Sequence, residues 1–261
     1  MNKHKNPWLE IPLTEYVGHM SDSRVRQYQM LSSIFQHAYS FKQPSKLLVL
    51  GASDGNGFEH ISKKTTSKVI AIDINSEYLA AAQLKFQTIL PECEFICEDI
   101  EKFDFPNHFF DMIHGALIFE YINYQILLGK IAQSLKIGGV LSTVIQLKDV
   151  NIPIISETQF TSLKKLAPIM KIVDINEFEK CAKANNLQLI HNEIIKPYGK
   201  KDFYYGIFKK KSGNPFLIIS AFQYLSRRND TGSGSLNQAA ADTRAVAGRE
   251  HIADFCLQVW G

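Results

Sequence analysis

The stretch VLGASDGNGFEHI, residues 49–61, gathers the residue types best suited to holding a ligand. Gly51, Gly55 and Gly57 fall within seven positions, with Ala52, Ser53 and Asp54 between the first two. Glycines let another group approach the backbone closely, and the unpaired N–H groups of a following helical turn would face a polar ligand. About 20 residues further on, Asp73 closes the apolar run KVIAID, where a strand-end acid can accept from the diol of a ribose. A dinucleotide fingerprint would read G-x-G-x-x-G; here the order is G-x-x-x-G-x-G, with Ser53 where a middle glycine would stand. Glycine turn and strand-end acid together point to an adenosine-bearing ligand, without saying which one.

The elements that must position these residues follow from apolar runs and their punctuation. KLLVL (46–50), KVIAID (68–73), CEFIC (93–97), FFDMIHG (109–115) and GVLSTVIQL (139–147) read as five strands. A helix is expected from the glycine turn through Lys63, a second one capped by Asn75 or Ser76 and ended by Pro91, and a third over 126–136. Strands apolar throughout and separated by helices predict a parallel sheet covered on both faces. A further helix at about 174–185 precedes LQLIHNEII (187–195) and DFYYGIFKK (202–210), which read as a hairpin and so bring in an antiparallel strand.

The predicted fold class is therefore α/β, doubly wound, with a mostly parallel seven-stranded sheet and an antiparallel C-terminal strand. Residues 1–44 are expected to form a helical lid or substrate segment, 45–211 the core with an insertion at 148–172, and 212–261 an appended tail. That tail contains no lysine, carries Arg227, Arg228, Arg244 and Arg249, and includes the linker-like NDTGSGSLNQAAADT.

Composition narrows the function classes. A 45% hydrophobic, 21% charged chain with formal charge +3 is that of an ordinary globular protein, too weakly basic to imply nucleic acid. The lysine pairs at 63–64, 164–165 and 200–201 read as solvated faces. No run reaches the ~20 apolar residues of a membrane span, and the N-terminus lacks the apolar core of a signal peptide, so a cytoplasmic location is expected. Cys93, Cys97, Cys181 and Cys256 have no zinc-type spacing and read as free thiols; no metal is expected.

In this order the motifs resemble those of class I S-adenosylmethionine-dependent methyltransferases, over roughly residues 45–210. VLGASDGNG is similar to their first motif, AIDIN (71–75) to the second-strand acid, and CEDIEKF (97–103) to the segment that meets the adenine. FDMIHGALIFEYI (110–122) is similar to the fourth strand and its turn, and LKIGGVL (135–141) to the Gly-Gly approach to strand five. DGNGFEHI, FEYI and TEYVGHM (14–20) resemble a bacterial subgroup. The resemblance implies a Rossmann-like fold and S-adenosylmethionine as cofactor, held by Gly51, Ala52, Ser53, Asp54, Gly55, Gly57, Asp73, Ile74, Asp99, Ile100 and Gly115. Val49 stands where the family usually has an acid, and Asp54 where a small hydroxyl residue is frequent. Asp54 is therefore a candidate acceptor for the ligand's ammonium.

Methyl transfer from a sulfonium needs chiefly alignment of acceptor, methyl and sulfur, and a general base where the acceptor must lose a proton. Tyr16 and His19 in the lid segment and His114 at the end of the fourth strand are the candidates for such a base. Glu120 reads as the first turn of a helix, complementing its dipole. The Asn/Asp-Pro-Pro-Tyr motif of amide and adenine methylation is replaced by HGAL, and no Pro-Cys nucleophile is present, which favours a small-molecule acceptor. Two alternatives stand beside this reading: a nicotinamide-dependent oxidoreductase, disfavoured by glycine spacing and the closing hairpin, and a cofactor-binding or interaction protein without catalysis.

Overall fold

A computed structural model describes residues 6–149, 151–197 and 201–212 of the chain; the tail expected beyond residue 212 lies outside them. Seven strands form one sheet: β1 (Lys46–Leu50), β2 (Lys68–Asp73), β3 (Glu92–Cys97), β4 (Phe110–Ala116), β5 (Leu135–Gln146), β6 (Leu187–Ile195) and β7 (Phe203–Lys210). Their order is β3-β2-β1-β4-β5-β7-β6. The first five are mutually parallel, with Leu48 beside Ile70 on one side and Ile113 on the other. β7 runs antiparallel to both β5 and β6, placing Tyr204 beside Ile145 and Ile194. The seven-stranded doubly wound sheet with its antiparallel closing strand is thus the one expected.

Alternation of side chains through the pleat sends Leu47, Val49, Val69 and Ala71 to one face and Leu48, Leu50, Ile70 and Ile72 to the other. Helices α1 (Leu13–Ser21), α2 (Gln27–Lys42) and α3 (Ser76–Phe86) precede or follow the early strands, and α2 and α3 cover the first face through Leu31, Ile34, Phe35, Ala38 and Leu79. Helices α4 (Tyr124–Ser134) and α5 (Ile175–Ala184) cover the second through Leu127, Leu128, Ile131 and Phe178. Both faces of the central strands are therefore buried, which is why β1, β2 and β4 are apolar without alternation. Asn75 caps α3 by accepting from the Glu77 and Tyr78 amides, as its position before the apolar period predicts.

Three local expectations are corrected. No α-helix follows the glycine turn: the chain passes through turns into a three-residue 3-10 helix, Phe58–His60. Gly55 and Gly57 adopt φ of +81° and +92°, which no right-handed helix accommodates, and the place on the sheet is taken by α2, whose Phe35 packs on Phe58. The helix expected over 126–136 ends at Ser134, because Leu135 is already extended and pairs with Phe110. Glu120 lies in a turn ahead of α4 rather than in its first turn, and it is completely buried.

Candidate functional site

The strand order reverses between β1 and β4: connections before that point lead toward β3, those after it toward β6. Ligands of open α/β sheets settle outside the carboxyl ends of the strands at such a switch. A cavity of about 180 Å³ lies there. Its floor is made by Gly51 and Ser53 after β1, Asp73 and Ile74 at the end of β2, Asp99 and Ile100 after β3, Leu117 and Ile118 after β4, and Gln146 at the end of β5.

Its roof comes from two segments far apart in sequence. Trp8, Tyr16, His19 and Met20 belong to the N-terminal segment, and Ile154, Ile155, Leu163, Leu166 and Met170 to the stretch between β5 and α5. The two pack on each other around Ile11, Leu163 and Leu166. Gly18 makes this possible: a Cβ there would sit 2.3 Å from the Phe160 ring, so only glycine leaves room for the ring on α1. Polar ties reinforce the contact. His19 Nδ1 lies 2.9 Å from Thr158 Oγ1, and the Ser162 amide donates to Glu15 at 3.0 Å. The N-terminal segment is in turn anchored to α3: the Asn75 side-chain Nδ2 donates to the Trp8 carbonyl and the Tyr78 hydroxyl to the Ile11 carbonyl, at 3.0 and 2.9 Å.

Asp73 organises the floor. One carboxylate oxygen accepts from the Ser53 amide at 2.8 Å and the other from the Asn75 amide at 2.9 Å, tying the glycine turn to the start of α3. Burial raises its pKa to about 6 against the pull of those amides. Each oxygen retains acceptor capacity for a further donor. Ser53 keeps a left-handed backbone, φ +48°, so the turn has the shape a glycine would give although the residue is serine. Its hydroxyl, in the cavity wall and buried, makes no hydrogen bond of ordinary geometry among the described residues, although the Tyr16 hydroxyl lies near enough to interact with it; the indole N–H of Trp8 makes none either. Asp99 accepts from the Glu101 amide at 3.0 Å, beside the apolar Ile100.

Of the residues singled out in the sequence, Gly51, Ser53, Asp73, Ile74, Asp99, Ile100, Tyr16 and His19 share this cavity. Ala52, Asp54, Gly55, Gly57, Gly115 and His114 do not line it. Gly55 and Gly57 are glycines for a packing reason: a Cβ would stand 2.8 Å from Phe86 and 2.9 Å from Phe35 respectively. The groups that come close to this backbone are aromatic rings of the protein's own helices. Gly115 likewise sits under Ile118 and Phe119. Asp54, 1% exposed, is held by the Lys85 ammonium and by the Tyr28 hydroxyl at 2.8 Å, so its carboxylate is already matched to a cation of the chain. His114 is buried between Phe35 and Ser142, whose hydroxyl is 3.0 Å from Nδ1; burial lowers its pKa to about 4.

The cavity also holds residues that sequence reading passed over. Lys201 belongs to a pair read as solvated, yet it is 6% exposed. Its ammonium donates to the Gln146 side-chain oxygen at 3.2 Å and to the Ile154 carbonyl. Burial lowers its pKa to about 8. His19 is lowered to about 4 by burial first and by the neighbouring Lys201 charge second, so its ring is neutral at pH 7. Glu120 supports the cavity from behind: it accepts from the Gln146 amide at 2.7 Å, its other oxygen has no partner among the described residues, and burial raises its pKa to about 7. Nothing local marks Lys201 or Glu120, since their partners lie 55 and 26 residues away. No cluster of metal-binding side chains occurs among the described residues, nor any helix long and apolar enough to cross a membrane.

Residues 47–139 match the family described as "Methyltransferase domain". No curated protein matches the chain. Among solved structures, the N-methyltransferase NodS from Bradyrhizobium japonicum WM9, in complex with S-adenosyl-L-homocysteine, aligns with TM-score 0.57 and 14% identity over 73% of this chain and 90% of its own. The [4+2]-cyclase SpnF aligns with TM-score 0.57 and 12% identity over 72% and 84%. A putative methyltransferase from Bacillus halodurans C-125 aligns with TM-score 0.55 and 11% identity over 69% and 99%. At these identities the structures establish a common fold.

Proposed function

We propose that the protein, whose residues 47–139 match a methyltransferase domain and whose sheet has the Rossmann-like fold of the solved methyltransferases, transfers a methyl group from S-adenosylmethionine to a small molecule held beneath its roof. The observation that carries this reading is one cavity at the switch point that joins Gly51, Asp73 and Asp99 and has the Ser53 hydroxyl in its wall. An adenosine fits this floor: Asp73 would accept from the ribose hydroxyls and Asp99 from the adenine amino group, with Ile74 and Ile100 against the base. The Ser53 hydroxyl, in the cavity wall, would meet the polar methionine end. When bound, the cofactor supplies an electrophilic methyl on a sulfonium.

The chain's own contribution is position and water exclusion. Trp8, Tyr16, Ile155, Leu163 and Leu166 close the cavity with apolar surface, which favours a small acceptor over a polymer. Tyr16, whose pKa burial raises well above that of a free phenol, stays protonated, and His19 is a neutral but weak base. His114, which does not line the cavity, has no role in this reading. The residues present therefore suit an acceptor that arrives already nucleophilic at neutral pH.

Calorimetric titration of the full chain with S-adenosylmethionine, S-adenosylhomocysteine and NAD tests the assignment. The first two are expected to bind in the micromolar range, with the affinity of Asp73→Asn reduced at least tenfold and NAD silent. Binding of NAD alone, or none by either sulfur compound, would overturn it.

A further inference from the structure

Among the described residues, the cavity wall contains a cation with no ion-paired anion. Lys201 is buried, yet among the described residues its ammonium has only neutral acceptors, the Gln146 side-chain oxygen and the Ile154 carbonyl. No carboxylate of those residues lies within ion-pair distance of it. An ammonium has three N–H donors, and two are accounted for. A buried charge left without a counter-ion is costly, so a site that keeps one is built for a partner that brings the opposite charge. Lys85 and Lys136 show the contrast, since each is matched to an aspartate, Asp54 and Asp111.

The position of Lys201 says what that partner is. It precedes β7 by two residues and bonds to the end of β5, whereas the acids proposed to hold the adenosine end β2 and follow β3. From β2 to β5 is three strand spacings, about 14 Å at ~4.8 Å each. The ammonium therefore faces the end of the cavity away from the adenosine floor, under Ile154 and Ile155 of the roof and near His19. His19, whose ring is hydrogen-bonded to Thr158, adds no negative charge, and Glu120 bonds to the Gln146 amide rather than to Lys201.

Resting on the methyltransferase reading, we propose that Lys201 is a specificity-determining residue that binds an anionic group, a carboxylate in the first instance, on a small and largely apolar methyl acceptor. An acceptor of this kind pairs with the ammonium and lays its apolar body against Leu163, Leu166 and Met170.

The test uses benzoate and its neutral isostere benzamide, read by calorimetry and by the fluorescence of the chain's two tryptophans, Trp8 and Trp260, on the full chain, with and without saturating S-adenosylhomocysteine. Benzoate is expected to bind at least tenfold more tightly than benzamide. Lys201→Met and Lys201→Gln are both expected to abolish that preference while leaving S-adenosylhomocysteine affinity within twofold; the glutamine variant keeps a donor for Ile154, so the two together separate charge from folding. Equal binding of benzoate and benzamide, no benzoate binding into the tens of millimolar, or a preference that survives in both variants would overturn the proposal. So would loss of S-adenosylhomocysteine binding in the variants, which would assign Lys201 to the cofactor's own carboxylate. Failure of the parent chain to bind S-adenosylhomocysteine would instead overturn the methyltransferase reading, and the benzoate preference in its absence would still decide the role of Lys201.

Discussion

Replacing Glu120 by glutamine should make the protein more stable at alkaline pH than at acid pH, relative to the parent. Glu120 is completely buried, with one oxygen accepting from the Gln146 amide and the other unpartnered among the described residues. Burial raises its pKa from 4.5 to about 7. Between those values the folded chain holds a proton that the unfolded chain has released. Stability from this group is thus fully present below pH 4.5 and is lost as pH rises through about 7. At ~1.4 kcal/mol for each tenfold change in proton affinity, the interval is worth roughly 3 kcal/mol. Glutamine keeps the oxygen that serves Gln146 and cannot ionise, so the variant escapes the loss. Urea unfolding of both chains from pH 5 to 8 measures it. Asp73, His19 and His114 titrate in both chains and cancel in the difference. The variant-minus-parent stability should rise by about 2–3 kcal/mol over that range. Parallel profiles would refute the reasoning, because they would mean that Glu120 is solvated or paired in the folded state.

Gly57→Ala should lower stability by about 1–3 kcal/mol, since its Cβ would meet Phe35 at the ring's root, 2.9–3.0 Å away, in a backbone with φ +92°; thermal unfolding measures it, and an unchanged midpoint would contradict the packing account of that glycine. Lys85→Met should cost on the order of 2 kcal/mol by stranding the buried Asp54 carboxylate, an effect discounted for the half-exposed lysine. The additional change Asp54→Asn should restore most of it in a urea titration. His114→Asn should destabilise by about 1 kcal/mol through the contact with Ser142, while S-adenosylhomocysteine affinity, read by calorimetry, stays within twofold.

Much of the architecture is legible in the residues themselves. KLLVL, KVIAID and FDMIHG are apolar runs because both faces of their strands are covered, and a run of that kind can be recognised without its partners. Asn75 caps α3 through amides two and three residues on, an interaction entirely within reach of local pattern. Gly51, Asp73 and Asp99 meet because parallel strands present their carboxyl ends on one edge, so three sequence positions become one floor as soon as the strand order is known.

What the sequence determined alone is therefore the alternation of elements and the strand-end residues it aligns. Tertiary structure alone decided which of those residues face the cavity. Gly57 is a glycine because of Phe35, 22 positions before it, and Gly18 because of Phe160, far along the chain. His19 is joined to Thr158 across 139 residues, and Lys201 donates to Gln146 and Ile154, 55 and 47 positions before it. Periodicity records what an element does with its own backbone geometry. A close approach, or a charge left without a counter-ion, is a property of two or more elements at once, and it exists only when the chain has brought them together.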